Sequence, residues 1–90
     1  MNAVIVSVSI HELDKATQLL RDEIVPMVSQ SPGFVAGYWV TIEGGQHGRG
    51  TIVVESEDAA RQLAERIQAG PPSDAVTIDS VEVGEVAASA

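Results

Sequence analysis

The chain has 90 residues, no cysteine, and thirteen acidic against five basic side chains, for a formal net charge of −8. That length fits one compact domain, expected over residues 1–86 with 87–90 as a loose tail, and leaves no room for a second. The lack of thiols excludes a disulfide, a thiolate nucleophile and any Cys-based metal site, while the negative charge repels a phosphate backbone and an anionic lipid surface, so neither nucleic acid nor membrane is expected as a partner.

The chain opens with Val4, Val6, Val8 and Ile10 alternating with Ala3, Ile5, Ser7 and Ser9, a period of two that predicts a strand. The run is short and follows no basic region, so it does not read as a signal peptide, and no stretch approaches a membrane span; a cytoplasmic protein is the expectation. A helix is predicted over about His11 to Gln30, where Leu13, Ala16, Leu20, Ile24, Met27 and Val28 recur at helical steps. Ser9 and Glu12 have the spacing of a capping box. Pro26 lies inside the pattern and predicts a kink or restart around Glu23 to Val25.

Pro32-Gly33 then ends the helix and reverses the chain into a second strand, Phe34 to Glu43, which holds all three aromatic residues. Gly44 to Gly50 reads as a mobile hairpin tip with four glycines, without the spacing of a nucleotide-binding loop, and Thr51 to Glu55 as the third strand. Ser56 is a candidate N-cap with Glu57 and Asp58 in the first turn, and Glu57 and Arg61 are placed to pair. Ala60, Leu63, Ala64 and Ile67 form the apolar stripe of this second helix, which Gly70-Pro71-Pro72 should stop. A last strand is predicted from Val76 to Val86, but its aliphatic phase slips between Ile78 and Val81. Either a β-bulge near Asp79-Ser80 or passage of the strand to another chain's sheet accounts for the slip.

The order strand, helix, strand, strand, helix, strand predicts an α+β, ferredoxin-like βαββαβ fold: a four-stranded antiparallel sheet with two helices on one face. Val4, Val6, Val8, Ile52, Val54, Val76 and Ile78 suit the helix side. The other side then carries Ile5, Val53, Val81 and Val83 with Ser7, Ser9, Thr51, Glu55 and Asp79. Phe34 and Tyr38 share one phase of the second strand and Trp39 takes the other, so either assignment leaves aromatic surface on the open side. Each apolar side chain left in water forgoes about 1.5–3 kcal/mol, and five of them approach the ~5–15 kcal/mol of a whole domain. A second copy covering the open face is the economical answer.

Val25-Pro26-Met27-Val28, Ser31-Pro32-Gly33-Phe34, Gly37-Tyr38 and the closing Ser80 to Val86 resemble the dimeric α/β-barrel superfamily, which includes antibiotic-biosynthesis-type monooxygenases. The resemblance spans almost the whole chain. It implies a homodimer formed through the open sheet face and the final strand, with a small hydrophobic or aromatic ligand held between sheet and helices or inside the barrel. Its monooxygenases use no metal or flavin and oxidise electron-rich aromatic molecules. Many relatives close the third strand with Glu and then an aromatic; here the chain reads Glu55-Ser56-Glu57.

The uncovered sheet face and the resemblance together imply a homodimeric small-ligand-binding or interaction protein, with a cofactor-independent monooxygenase, isomerase or cyclase acting on a polyketide-like aromatic as the alternative. Ser7, Ser9, Tyr38, Trp39, Thr51, Val53 and Glu55 are the candidate ligand-binding residues. Enclosed between two sheets, Glu55 would be desolvated and suited to general base work, whereas the simpler reading makes it an interface carboxylate. Tyr38 and Trp39 line a pocket or belong to the core. His11 and His47, the only imidazoles, have no metal-ligand spacing and read as surface residues, so no cofactor and no metal are expected.

Overall fold

A computed structural model describes residues 1–70 and 73–90. Its elements are β1 (Asn2–Ile10), a helical segment α1 (residues 13–29), β2 (Phe34–Ile42), β3 (His47–Val54), α2 (Glu57–Ala69) and β4 (Val76–Glu85). The four strands form one open antiparallel sheet in the order β2-β3-β1-β4, the ferredoxin-like arrangement, with both helices on one face. Val4 and Val6 of β1 and Ile52 and Val54 of β3 meet Val28 of α1 and Ala60, Leu63 and Ala64 of α2 in the core.

The first helix departs from its sequence pattern at both points where local chemistry was in play. It begins at Leu13 with Glu12 as N-cap and no side-chain capping bond, because the Ser9 hydroxyl donates instead to Asp79 Oδ2 at 2.7 Å across the β1–β4 ladder. Before Pro26 the helix does not break. Leu20–Ile24 forms a π-helical turn between α-helical Leu13–Leu19 and Val25–Ser29, and the Val25 N–H reaches back to the Leu20 carbonyl. A proline cannot donate to the carbonyl four residues earlier and its ring crowds that turn, so one wider turn absorbs the misfit.

The second helix follows its sequence signals. Ser56 Oγ accepts from the Ala59 N–H at 3.1 Å, and Arg61 Nε donates to Glu57 Oε1 at 3.2 Å. That hydrogen bond and the carboxylate's charge raise the Arg61 pKa above its ordinary value, but the pair is fully exposed and adds little to stability. The helix ends at Ala69 with Gly70 as C-cap. The stop expected at Pro71-Pro72 lies outside the described residues.

Two bulges decide which side chains reach the helix layer. In β4 the register with β1 shifts between Ser7↔Ser80 and Val8↔Ile78, leaving Asp79 as the extra residue. The phase slip is therefore a bulge within the chain's own sheet. It also corrects the face of Val81 and Val83: they pair with Val6 and Val4 on the helix side, and Val81 packs against the core. In β2 the register shifts between Phe34 and Ala36, which places Phe34 opposite Val54 and Trp39 opposite Gly50, both on the helix side. Phe34 and Trp39 thus share a face and Tyr38 takes the open one, contrary to simple alternation.

The hairpin between β2 and β3 is tighter than its glycines imply. Only residues 43–46 form the connection, and Glu43, Gly44 and Gly45 all have positive φ. His47 to Gly50 belong to β3, paired with Ile42 to Trp39. Gly48 and Gly50 sit on its buried phase while His47 and Arg49 are exposed.

Candidate functional site

The start of α1 carries an apolar stripe that the sheet beneath does not fully meet. No side chain from Leu13 to Ile24 is buried, and Val28 is the one buried residue of the segment. The helix is seated near its C-terminal end and stands off the sheet toward its start. A cleft of about 970 Å³ lies in the gap. Its floor is formed by Val6, Val8, Gly48, Gly50, Ile52 and Trp39; Ala16, Leu20, Ile24 and Met27 form its roof. Ile67 of α2 and Val76 and Ile78 of β4 close the side. The exposed charged residues Lys15, Glu23, Arg66 and Asp74 supply polar groups to the lining.

Trp39 holds its place because the neighbouring positions have no side chain. A Cβ on Gly50 would lie 2.9 Å from both Cδ1 and Nε1 of the indole, and a Cβ on Gly37 would lie 2.9 Å from Cη2. The ring therefore lies along the sheet between two glycines, one at each end, and adds an aromatic surface to an otherwise aliphatic floor. At the far end of the roof, Leu13 packs over the hairpin, where a Cβ on Gly45 would meet its Cδ2 at 2.7 Å.

The residues singled out from the sequence fall on two sides of the sheet. Trp39 lines the cleft. The cross-strand pairs Tyr38↔Thr51, Ile5↔Thr51, Ala3↔Val53 and Ser7↔Arg49 place Tyr38, Thr51, Val53 and Ser7 on the open face, with Ser9 beside His47. Ser7, Ser9, Thr51 and Val53 are half-buried there, and Tyr38 is 71% exposed. Glu55 follows β3, is exposed, and donates its backbone N–H to the Gly33 carbonyl at 2.8 Å. It does not line the cleft.

Along β1 the open face passes from Ala3 and Ile5 to Ser7 and Ser9, while Val40 and Ile42 of β2 lie beside Arg49 and His47, and Glu82 of β4 lies beside Ile5. His11 Nε2 and Thr77 Oγ1 are hydrogen-bonded at 2.8 Å, and His47 Nε2 lies 3.7 Å from Glu43 Oε2. Among the described residues no group of His, Asp and Glu has metal-site geometry, and no helix is long and apolar enough to cross a membrane.

No family model, curated protein or solved structure matches the chain.

In the sequence, the roof and floor residues Val8, Ile24 and Met27 read only as core, because a strand or helix period places a residue on the inner face without saying how far the layers stand apart. The signal that marks the cleft was present in β3: two glycines on the helix-facing phase, where a filled core calls for bulk.

Proposed function

We propose that the protein binds a small, largely apolar, aromatic molecule in the cleft between α1 and the sheet, with Trp39 as the stacking surface. The observation that carries this reading is the cleft itself. A volume of about 970 Å³ falls at the upper end of the range of small-molecule sites. Its floor and roof are mostly aliphatic, its one aromatic is held flat by glycines, and its charged residues, among them Lys15, Glu23 and Arg66, are exposed. Such a lining favours a ligand that stacks and is desolvated over one recognised by many hydrogen bonds.

The working unit is a homodimer of the dimeric α/β-barrel kind, the second copy covering the open face. Tyr38, Val40 and Ile42 are 71%, 56% and 39% exposed there, an apolar surface that association would remove from water. The charges on this face are also self-complementary. β3 contributes Arg49, and β4 contributes Asp79 and Glu82, so a two-fold axis can set Arg49 of one copy against the carboxylates of the other.

Binding without turnover is the reading the geometry favours over an oxygenase. Of the residues expected to serve the oxygenase, Trp39 lies in the cleft, whereas Glu55 is outside it. The test is thermal unfolding with a tricyclic hydroxyanthraquinone. A ligand at a hundred times its dissociation constant adds about 2.7 kcal/mol, on the order of 10 °C in a domain of this size. No shift up to the solubility limit contradicts the binding reading; rapid oxygen uptake with a reduced phenolic analogue contradicts the claim that there is no turnover.

A further inference from the structure

The two edges of the sheet are built differently. β4 is protected in the usual ways: it carries Asp79, Glu82 and Glu85 and is bent by the bulge at Asp79. β2, Phe-Val-Ala-Gly-Tyr-Trp-Val-Thr-Ile, has no charged residue and no proline in nine positions. Among the described residues, Val35, Tyr38, Val40 and Ile42 on this one strand make up half of the eight exposed large hydrophobic ones. A free edge of this length and composition is a template for another strand.

The hydrogen-bond phase of the edge follows from its neighbours. The Glu55 N–H donates to the Gly33 carbonyl and the Ile10 N–H to the Gln46 carbonyl, each at 2.8 Å. Alternation along an antiparallel ladder then turns Ala36, Tyr38, Val40 and Ile42 toward β3 and leaves the N–H groups of Gly37, Trp39 and Thr41 pointing outward.

We propose that β2 pairs antiparallel with β2 of a second copy, joining two four-stranded sheets into one continuous sheet. Charge selects this occupant. In a chain of net charge −8, an uncharged strand is the segment that can lie against its own copy without repulsion, whereas two β4 edges would set three carboxylates against three more. Pairing at β2 also places the Tyr38, Val40 and Ile42 rows of two copies side by side on the same face, extending the apolar surface described above. The contact is separate from the one over the open face and stands without it.

Amide hydrogen exchange on the unmodified protein tests the pairing without any risk of misfolding. Slow exchange at Gly37, Trp39 and Thr41, with fast exchange along the outer edge of β4, is the expected result. Fast exchange at those three amides overturns the proposal, whatever the outer edge of β4 shows. Light scattering on two variants separates this contact from the one over the face. Thr41→Pro removes an outward donor and leaves the ladder to β3 intact, and it should halve the mass while circular dichroism shows a folded chain. A folded Thr41→Pro with unchanged mass rejects edge pairing, whereas Ile5→Lys with unchanged mass rejects only the face contact.

Discussion

At the scale of single residues, the site depends on what Gly50 and Gly37 lack. The indole of Trp39 occupies the volume that their side chains would fill. Gly50→Val should therefore lift the ring off the floor, shift its emission, and weaken ligand binding at least tenfold; emission and affinity both unchanged would show that the glycine leaves no needed space. The core makes a separate demand. Leu63 is 1% exposed between α2 and the sheet, so Leu63→Ala should cost about 2–5 kcal/mol in urea unfolding. The face that Trp39 occupies was not legible in the sequence. Phe34 and Trp39 are five positions apart, and only an extra residue at Val35 brings them to one side. Nothing about a valine between phenylalanine and alanine announces a bulge. Ser56, by contrast, was legible because a hydroxyl ahead of two acidic residues has one strong use, as an N-cap.

At the scale of elements, the π turn sets how α1 overhangs the sheet. A π turn accommodates one residue more than an α turn does, so it rotates everything before it relative to everything after. Ala16 and Leu20 lie before or at its start, Ile24 and Met27 at or after its end, and all four face the cleft. Pro26→Ala removes the cause. The segment should then relax to a regular α-helix, rotating its first two turns relative to the buried Val28, and ligand affinity should change with melting temperature unchanged or raised. Affinity equal to that of the unmodified chain would separate the turn from binding. The proline announced a disturbance at the correct place, but the form that it took depends on whether the freed carbonyl can find a donor one residue further on, a matter of packing. In β4 the slip of phase was likewise visible in the order of residues. Its consequence was not, because a bulge returns Val81 and Val83 to the side that Val76 and Ile78 already occupy.

At the scale of the whole molecule, the order of elements and two amphipathic helices were enough to specify the sheet and its topology. Hydrophobic periodicity did not reveal the cleft, because it records direction and not the distance between layers; the glycines of β3 were the one trace of it. The same limit explains the division of the candidate residues. Ser7, Ser9, Thr51 and Val53 share a face by alternation, whereas Trp39 joins the opposite layer through a bulge. An aliphatic cleft roofed by the standing-off end of α1 is the feature on which the proposed activity rests. Trp39 is the only tryptophan in the chain, so its fluorescence reports on the floor of the cleft without a label. The most direct measurement is a titration of that emission with a planar phenol such as 1-naphthol or a hydroxyanthraquinone. Saturable quenching, lost in Gly50→Val, is the predicted result. Emission that stays constant, or falls linearly without saturation as in free collision, would contradict a binding site at the cleft.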